Sequence, residues 1–113
     1  MSFHLAQANI AVLRYAYDDP QIAEFVDNLD RINALADSAP GFVWRRINDV
    51  GDAEVQAIFG EDDLIFNMSV WESRELLYDY VYKTAHVDIL RKRGNWFMPQ
   101  KRPIIALWWL PYH

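Results

Sequence analysis

The stretch LIFNMSVWES, residues 64–73, decides how this chain is expected to fold. Its first eight residues alternate in the manner of a strand, and the serine that follows them at position 73 is typical of a helix cap. Apolar side chains occupy both faces of this strand: Phe66, Met68 and Val70 on one, Ile65 and Trp71 on the other. The stretch therefore predicts a strand that leads directly into a helix and belongs to a sheet with no solvent-exposed face.

The segments before this stretch predict a strand, a helix and a second strand. Residues 3–13 alternate as a strand, and residues 18–20, Asp-Asp-Pro, are typical of a helix start. The apolar stripe of the helix is Ile22, Phe25, Val26, Leu29, Ile32 and Ala36. Pro40-Gly41 is expected to end this helix, residues 42–48 to form a strand, and residues 54–59 to add a short extension.

The segments after the stretch predict a second helix and a final strand. The helix is expected to run from Ser73 to about Gly94, with a kink or restart near Thr84. Residues 96–99 form an apolar connector, and Pro103 introduces the strand IIALWWL. The order strand, helix, strand, strand, helix, strand is the split βαβ pattern of the ferredoxin-like α+β folds, βαββαβ with an antiparallel sheet. Right-handed crossovers place both helices on one face of that sheet.

The uncovered face of this sheet predicts a homodimer. The last strand is apolar on both faces, as is the strand at residues 64–71. Apolar patches of that size are seldom left exposed on a small monomer. The economical cover is a second copy, packed by two-fold symmetry.

Composition and charge narrow the class of protein. The 113 residues fit one domain, residues 1–113, and the absence of cysteine excludes disulfides, thiolate metal sites and cysteine nucleophiles. The start, MSFHLAQANI, resembles neither a signal peptide nor a membrane anchor, so we expect a cytoplasmic protein with no membrane partner. A net charge of -5 argues against nucleic acid. Five basic residues follow Asp88 with no further acid, which predicts either a helix C-terminus or an anion site: Arg91, Lys92, Arg93, Lys101 and Arg102.

Polar side chains on two neighbouring strands are expected to form a buried cluster. In a ferredoxin-like sheet the first and third strands are antiparallel neighbours, so Gln7 and Asn9 can meet Asn67 and Ser69. Such a cluster must satisfy itself, hold water or orient a ligand. Arg45 and Arg46 follow one another on a strand and must point to opposite faces, so one of them is expected to pair with an acid or an anionic substrate.

Aromatic side chains and one histidine supply the other candidate site residues. Tyr78, Tyr80 and Tyr82, with the five tryptophans, provide surface for a flat ligand or pack in the core. His86 lies in the second helix as a general base, a metal ligand or a structural histidine. No spacing of histidines or carboxylates supports a closed metal site, and signatures of P-loop, hydrolase and metalloprotease chemistry are absent.

Several short runs resemble a known family across nearly the whole chain. The runs are His4-Leu5-Ala6-Gln7, residues 28–33 (NLDRIN), residues 40–44 (PGFVW), Val70-Trp71-Glu72-Ser73, Ala85-His86-Val87 and Trp96-Phe97. They resemble an uncharacterised bacterial family of small proteins within the antibiotic-biosynthesis-monooxygenase-like superfamily of dimeric α/β barrels. The resemblance implies ferredoxin-like subunits whose sheets pair into a barrel, with a cavity between each sheet and its own helices.

The wider superfamily implies candidate activities. Its members include cofactor-free oxygenases of polycyclic substrates and haem-degrading enzymes. The haem-degrading enzymes use an asparagine on the first strand and a tryptophan and a histidine in the second helix. Asn9 and His86 match the first and last of these, but Tyr80 or Leu76 stands where the tryptophan belongs. The resemblance therefore implies no cofactor and disfavours haem.

Two hypotheses about function remain. In the first, the protein binds a small aromatic molecule and acts as a cofactor-free monooxygenase, with His86, Asn9 and a tyrosine positioning a substrate anion for oxygen. The expected ligand contacts are Tyr80, Tyr82, Asn67, Trp71 and Arg45. In the alternative, the chain is a non-catalytic homodimeric module, structural or for interaction, whose aromatic side chains serve packing alone.

Overall fold

The computed structural model describes residues 2–16, 18–46, 64–84, 86–99 and 105–112. Its elements, in chain order, are β1 (Ser2–Val12), α1 (Ala23–Asp37, entered through a 3-10 turn at Pro20–Ile22), β2 (Phe42–Arg45), β3 (Leu64–Trp71), α2 (Arg74–Lys83), α3 (His86–Arg91), α4 (Arg93–Trp96) and β4 (Ile105–Tyr112). The four strands form one sheet in the order β2-β3-β1-β4, and all three pairs are antiparallel. This confirms the ferredoxin-like α+β fold.

The helix boundaries follow from local side chains. Asp19 accepts a hydrogen bond from the backbone N–H of Gln21 at 2.8 Å, and Ser73 accepts one from Leu76 at 3.2 Å, so both predicted caps form. Thr84 is extended and separates α2 from α3, at the predicted restart. The extension expected at residues 54–59 lies outside the described residues, as do Lys101, Arg102 and Pro103.

The predicted connector at residues 96–99 is wrong at its first residue. Trp96 closes α4, because the N–H of Phe97 bonds the carbonyl of Arg93 at 2.9 Å and completes a helical turn there. The same tryptophan is almost fully buried against Phe25, with ring centroids 5.5 Å apart. Burial of this large ring favours the extra turn over an open connector.

Two apolar clusters pack the helices against one face of the sheet, here called the helix side. The first cluster is Leu5, Ala36, Trp71, Leu77 and Tyr80, at the end of β3 that enters α2. The second cluster is Leu13, Ile22, Phe25 and Trp96, at the other end of the sheet. Between them, the middle of the helix side carries polar residues instead.

The opposite face of the sheet is mostly apolar and lies away from both clusters, although His4 and Arg46 also lie on it. It carries the side chains that alternate with those of the helix side: Ala6, Ala8 and Ile10 on β1, Phe66, Met68 and Val70 on β3, and Trp108 and Leu110 on β4. The two predicted sets of apolar positions on β3 therefore lie on opposite faces of the sheet. Within the described ranges, no helix has the length and apolar character needed to span a membrane.

Candidate functional site

Four polar side chains meet between the two apolar clusters, and we call this set the polar gap: Gln7, Asn9, Asn67 and Ser69. Gln7 stands directly opposite Ser69 across the β1–β3 pair, and Asn9 stands opposite Asn67. All four project to the helix side, because they share the alternation of Leu5 on β1 and Trp71 on β3. The meeting of these strands expected from the sequence is therefore present in the fold.

Hydrogen bonds connect three members of the polar gap in a row. Gln7 Nε2 donates to Ser69 Oγ at 2.7 Å, and Asn9 Nδ2 donates to Gln7 Oε1 at 3.0 Å. Gln7 and Ser69 are only 6% and 8% exposed, Asn9 is half-buried, and Asn67 is exposed. The gap is therefore closed at the Ser69 end and open to solvent at the Asn67 end.

Trp71 and Tyr80 form an aromatic wall at the closed end. The two rings stack with centroids 5.0 Å apart, and Phe42 meets Trp71 edge-on at 5.6 Å. Trp71 is 1% exposed and its Nε1–H donates to Ser69 Oγ at 2.9 Å, while the Tyr80 hydroxyl donates to the Ile32 carbonyl at 3.1 Å. Burial raises the pKa of Tyr80 to about 12, so this phenol stays protonated. Both predicted ligand contacts thus have their polar atoms engaged by the protein.

His86 lies beside this wall, at the start of α3. Its ring centroid is 5.1 Å from that of Tyr80, and Thr84 Oγ1 joins the two turns by donating to the Tyr80 carbonyl and accepting from the His86 backbone N–H. His86 Nδ1 lies 3.3 Å from the Val81 carbonyl oxygen, which can only accept, so Nδ1 carries the proton. The lone pair of the neutral ring is therefore on Nε2.

Burial also lowers the pKa of His86, although the hydrogen bond to Val81 opposes this shift. The folded protein therefore holds this imidazole neutral at a pH where the unfolded chain begins to protonate it. A neutral ring with a fixed tautomer is the state in which a histidine acts as a base.

The lowered pKa of His86 predicts that the protein loses stability at pH values above those at which carboxylates titrate. As the pH falls below the ordinary histidine value of 6.5, the unfolded chain binds a proton that the folded chain does not, so the free energy of unfolding decreases. We expect the melting temperature to drop between pH 7.5 and pH 5.5. His86→Gln should flatten this dependence, and an unchanged pH profile in that variant would contradict the assignment to His86. The measurement is thermal denaturation across this pH range.

Arg45 and Arg46 point to opposite faces of the sheet, as expected. Arg45 forms a bidentate pair with Asp37 of α1, with Nε 2.7 Å from one carboxylate oxygen and a terminal nitrogen 3.2 Å from the other. Hydrogen bonds from Arg45 lower the pKa of Asp37. Arg46 instead lies over the Phe66 ring of the opposite face, at 5.7 Å. The charge of Arg45, a predicted ligand contact, is therefore balanced within the fold.

Tyr82 is a predicted site residue that makes none of these contacts. It is exposed on α2 and packs edge-on against Tyr78, with centroids 6.0 Å apart. Tyr78 and Tyr82 are four residues apart on the outer surface of the helix, whereas Tyr80 between them is turned to the core. The structure therefore brings Tyr80, but not Tyr82, to the wall of the polar gap.

An apolar strip on β4 flanks the polar gap, and only its tryptophan was among the aromatic side chains considered from the sequence as ligand surface. Ile105 stands opposite Asn9, Leu107 opposite Gln7 and Trp109 opposite Leu5, all on the helix side. These side chains are 61%, 44% and 56% exposed, because neither apolar cluster includes a residue of β4. The alternation of IIALWWL contained this information, but only the register with β1 shows which residues it places beside the amides.

Three of the five basic residues after Asp88 lie in the described part of the chain, and each of them contacts a protein group. Arg91 lies 3.6 Å from Asp88, Lys92 pairs with Glu24, and Arg93 donates to the Leu90 carbonyl at 2.8 Å. The Arg93 contact is of the kind expected at a helix C-terminus, and Lys101 and Arg102 lie outside the described residues. Nearby, a surface depression of about 500 Å³ lies outside the polar gap and is lined by Arg14, Tyr15, Gln21, Gly94 and Asn95.

Solved structures share this fold at low sequence identity. SnoaB, a cofactor-independent oxygenase from Streptomyces nogalater, is 15% identical with a TM-score of 0.65, and the match covers 99% of this chain and 97% of that one. A protein of unknown function from Nitrosomonas europaea is 12% identical with a TM-score of 0.63, covering 98% and 92%. A candidate antibiotic biosynthesis monooxygenase from Chloroflexus aurantiacus is 14% identical with a TM-score of 0.57, covering 97% and 94%. These matches support the fold alone.

The sequence itself matches one family model. Among curated proteins, none matches the chain significantly. The model for the domain of unknown function DUF3291 matches residues 4–113, which include most of β1, the other three strands and the polar gap. The chain therefore belongs to the DUF3291 family.

Proposed function

We propose that the protein binds a flat aromatic molecule at the polar gap and oxidises it with molecular oxygen, without a cofactor. The observation that carries the proposal is the state of His86, a neutral imidazole whose Nδ1–H is held by Val81 and whose Nε2 is left as a base. The likeness in fold to a cofactor-independent oxygenase supports the same chemistry. The apolar strip on β4 offers a surface against which such a ring system can lie.

The proposed reaction needs only a base and a place for the anion. His86 Nε2 removes a proton from an acidic C–H of the substrate, and the resulting carbanion is itself the electron donor to oxygen. The two combine as a peroxide anion, which takes the proton back from the imidazolium and becomes a hydroperoxide. Loss of water then leaves a ketone, so that a CH₂ group and O₂ give C=O and H₂O. Asn9 and the Tyr80 ring position the anion during these steps.

Anthrone is a suitable test substrate, because its CH₂ lies between two aromatic rings and its anion is easily oxidised. We expect the protein, dialysed against a chelator, to take up one O₂ for each anthraquinone formed, with one ¹⁸O atom from ¹⁸O₂ in the product. The measurements are an oxygen electrode and mass spectrometry. Uptake no faster than in buffer, for anthrone and for related hydroxyaromatics, would contradict the proposed activity.

The second candidate is a non-catalytic homodimeric module, and one observation favours it. The buried polar atoms of Gln7, Trp71 and Tyr80 are all hydrogen-bonded within the chain, as in a cluster that serves packing. In that case aromatic ligands should not raise the melting temperature, whereas a binding protein gains stability from them by mass action. A thermal shift with anthraquinone separates the two candidates.

Both candidates include a homodimer, proposed on the apolar face opposite the helices. Its occupant is a second copy, because a two-fold axis sets the same apolar side chains of β1, β3 and β4 against one another. We expect light scattering to give twice the 13.3 kDa mass of the chain. Met68→Lys, in the middle of this face, should shift the protein to the monomer mass, while Asn67→Lys on the helix side should not. A monomeric wild type at micromolar concentration would contradict the dimer.

A further inference from the structure

The neighbours of Ser69 leave its hydroxyl able to donate a hydrogen bond but not to accept another one. A serine oxygen has two lone pairs and one proton. Its two acceptor positions are taken by Gln7 Nε2 at 2.7 Å and Trp71 Nε1 at 2.9 Å. The indole N–H can only donate, so it cannot exchange roles with Ser69. Within the described part of the chain, no acceptor receives the Ser69 proton.

The row of amides strengthens this arrangement. Asn9 donates to Gln7, and Gln7 donates to Ser69 from β1. Trp71 donates to the same oxygen from β3. Hydrogen bonds that converge on a hydroxyl oxygen polarise its O–H and make it a better donor. Ser69 is 8% exposed, and it lies two residues from the exposed Asn67 on the same face.

We infer that Ser69 is a ligand-binding residue whose hydroxyl donates a hydrogen bond to an acceptor-only oxygen, a ketone or an enolate, on the aromatic molecule bound at the polar gap. This inference rests on the proposed function and names the polar group that its ligand must carry. With both lone pairs taken, Ser69 offers nothing to a ligand donor, so the site discriminates a carbonyl from a bare hydrocarbon of the same shape. In the oxygenation above, the same contact stabilises the enolate oxygen of the carbanion.

Two flat probes of nearly equal shape test the inference. Fluorenone carries one carbonyl oxygen, and fluorene is the same ring system without it. We expect wild type to bind fluorenone about tenfold more tightly than fluorene, the ratio that one hydrogen bond supplies. Ser69→Ala should bring this ratio close to one, and Ser69→Thr should restore it. Ser38→Ala, which removes an exposed hydroxyl at the end of α1, should leave the ratio unchanged. The measurement is quenching of tryptophan fluorescence on titration.

The outcomes separate a ligand contact from a structural role. A structural Ser69 would make Ser69→Ala bind both probes more weakly with the ratio retained, which would overturn the inference. A ratio near one in wild type would overturn it as well. Binding of neither probe would overturn the inference and the proposed function together. Without any variant, the infrared carbonyl stretch of bound fluorenone should lie at a lower frequency than that of fluorenone dissolved in cyclohexane. An unshifted band also excludes the contact.

Discussion

Gly41→Ala is expected to destabilise the protein by about 2–4 kcal/mol, through backbone strain and steric overlap together. Gly41 has a φ of 83°, in the left-handed region that side chains other than glycine rarely adopt. A Cβ at this position would lie 2.7 Å from Leu76 Cβ and 2.4 Å from its Cδ1, so α2 would have to move. The melting temperature should fall by roughly 10 °C.

Gly94→Ala is the matched control for this substitution. Gly94 lies in α4, and an added Cβ there has no other atom within 4 Å. We expect its melting temperature to stay the same or rise slightly, because alanine favours a helix over glycine by up to about 1 kcal/mol. Gly41→Ala melting no lower than Gly94→Ala would contradict the tight approach of α2 to the β1–α1–β2 unit. Introducing Gly41→Ala into a Leu76→Ala background should cost less, since the overlap with Leu76 Cγ and Cδ1 is gone, while the overlap with the Cβ at position 76 and the backbone strain of about 1–2 kcal/mol remain.

The elements that the sequence predicts well are those that depend on neighbours along the chain. Asp19 and Ser73 cap their helices through backbone groups two and three residues away, and such contacts are visible as spacing. The restart near Thr84 is likewise local, because that side chain bonds Tyr80 and His86 on either side of it. Alternation on β1 and β3 also predicts which polar side chains share a face, and hence the polar gap.

The roles of individual site residues depend instead on contacts between distant segments. The spacing of Tyr78, Tyr80 and Tyr82 cannot show that the second donates to the Ile32 carbonyl, 48 positions away, while the third is exposed. Likewise, only the packing of α1 against β2 shows that Arg45 is held by Asp37. Ser69 was expected in a polar cluster, but its two donors come from β1 and from its own strand. Such pairings are fixed by register and rotamer, which composition and periodicity do not contain.

His86→Gln is expected to lower the rate of anthrone oxidation by about 10²- to 10⁴-fold, the range that a positioned general base contributes. Glutamine retains a side-chain amide of similar reach that can still donate to the Val81 carbonyl, which His86 Nδ1 now bonds at 3.3 Å. It has no atom basic enough to take a proton from carbon. We therefore expect the melting temperature at pH 7.5 to change little while oxygen uptake falls nearly to the rate in buffer.

Tyr82→Phe is the matched control for the loss of His86. It changes an aromatic side chain on the outer surface of α2, away from the polar gap, and should oxidise anthrone at the wild-type rate. The pH profile adds a second readout, because the rate in wild type should fall as the pH drops through the lowered pKa of His86 and the imidazole becomes charged. A His86→Gln protein that keeps both its rate and its pH profile would remove the base from the proposed reaction. Oxygen activation would then need another group to form the substrate anion, and Tyr80, with its hydroxyl engaged by Ile32 and its pKa near 12, is poorly suited to that role.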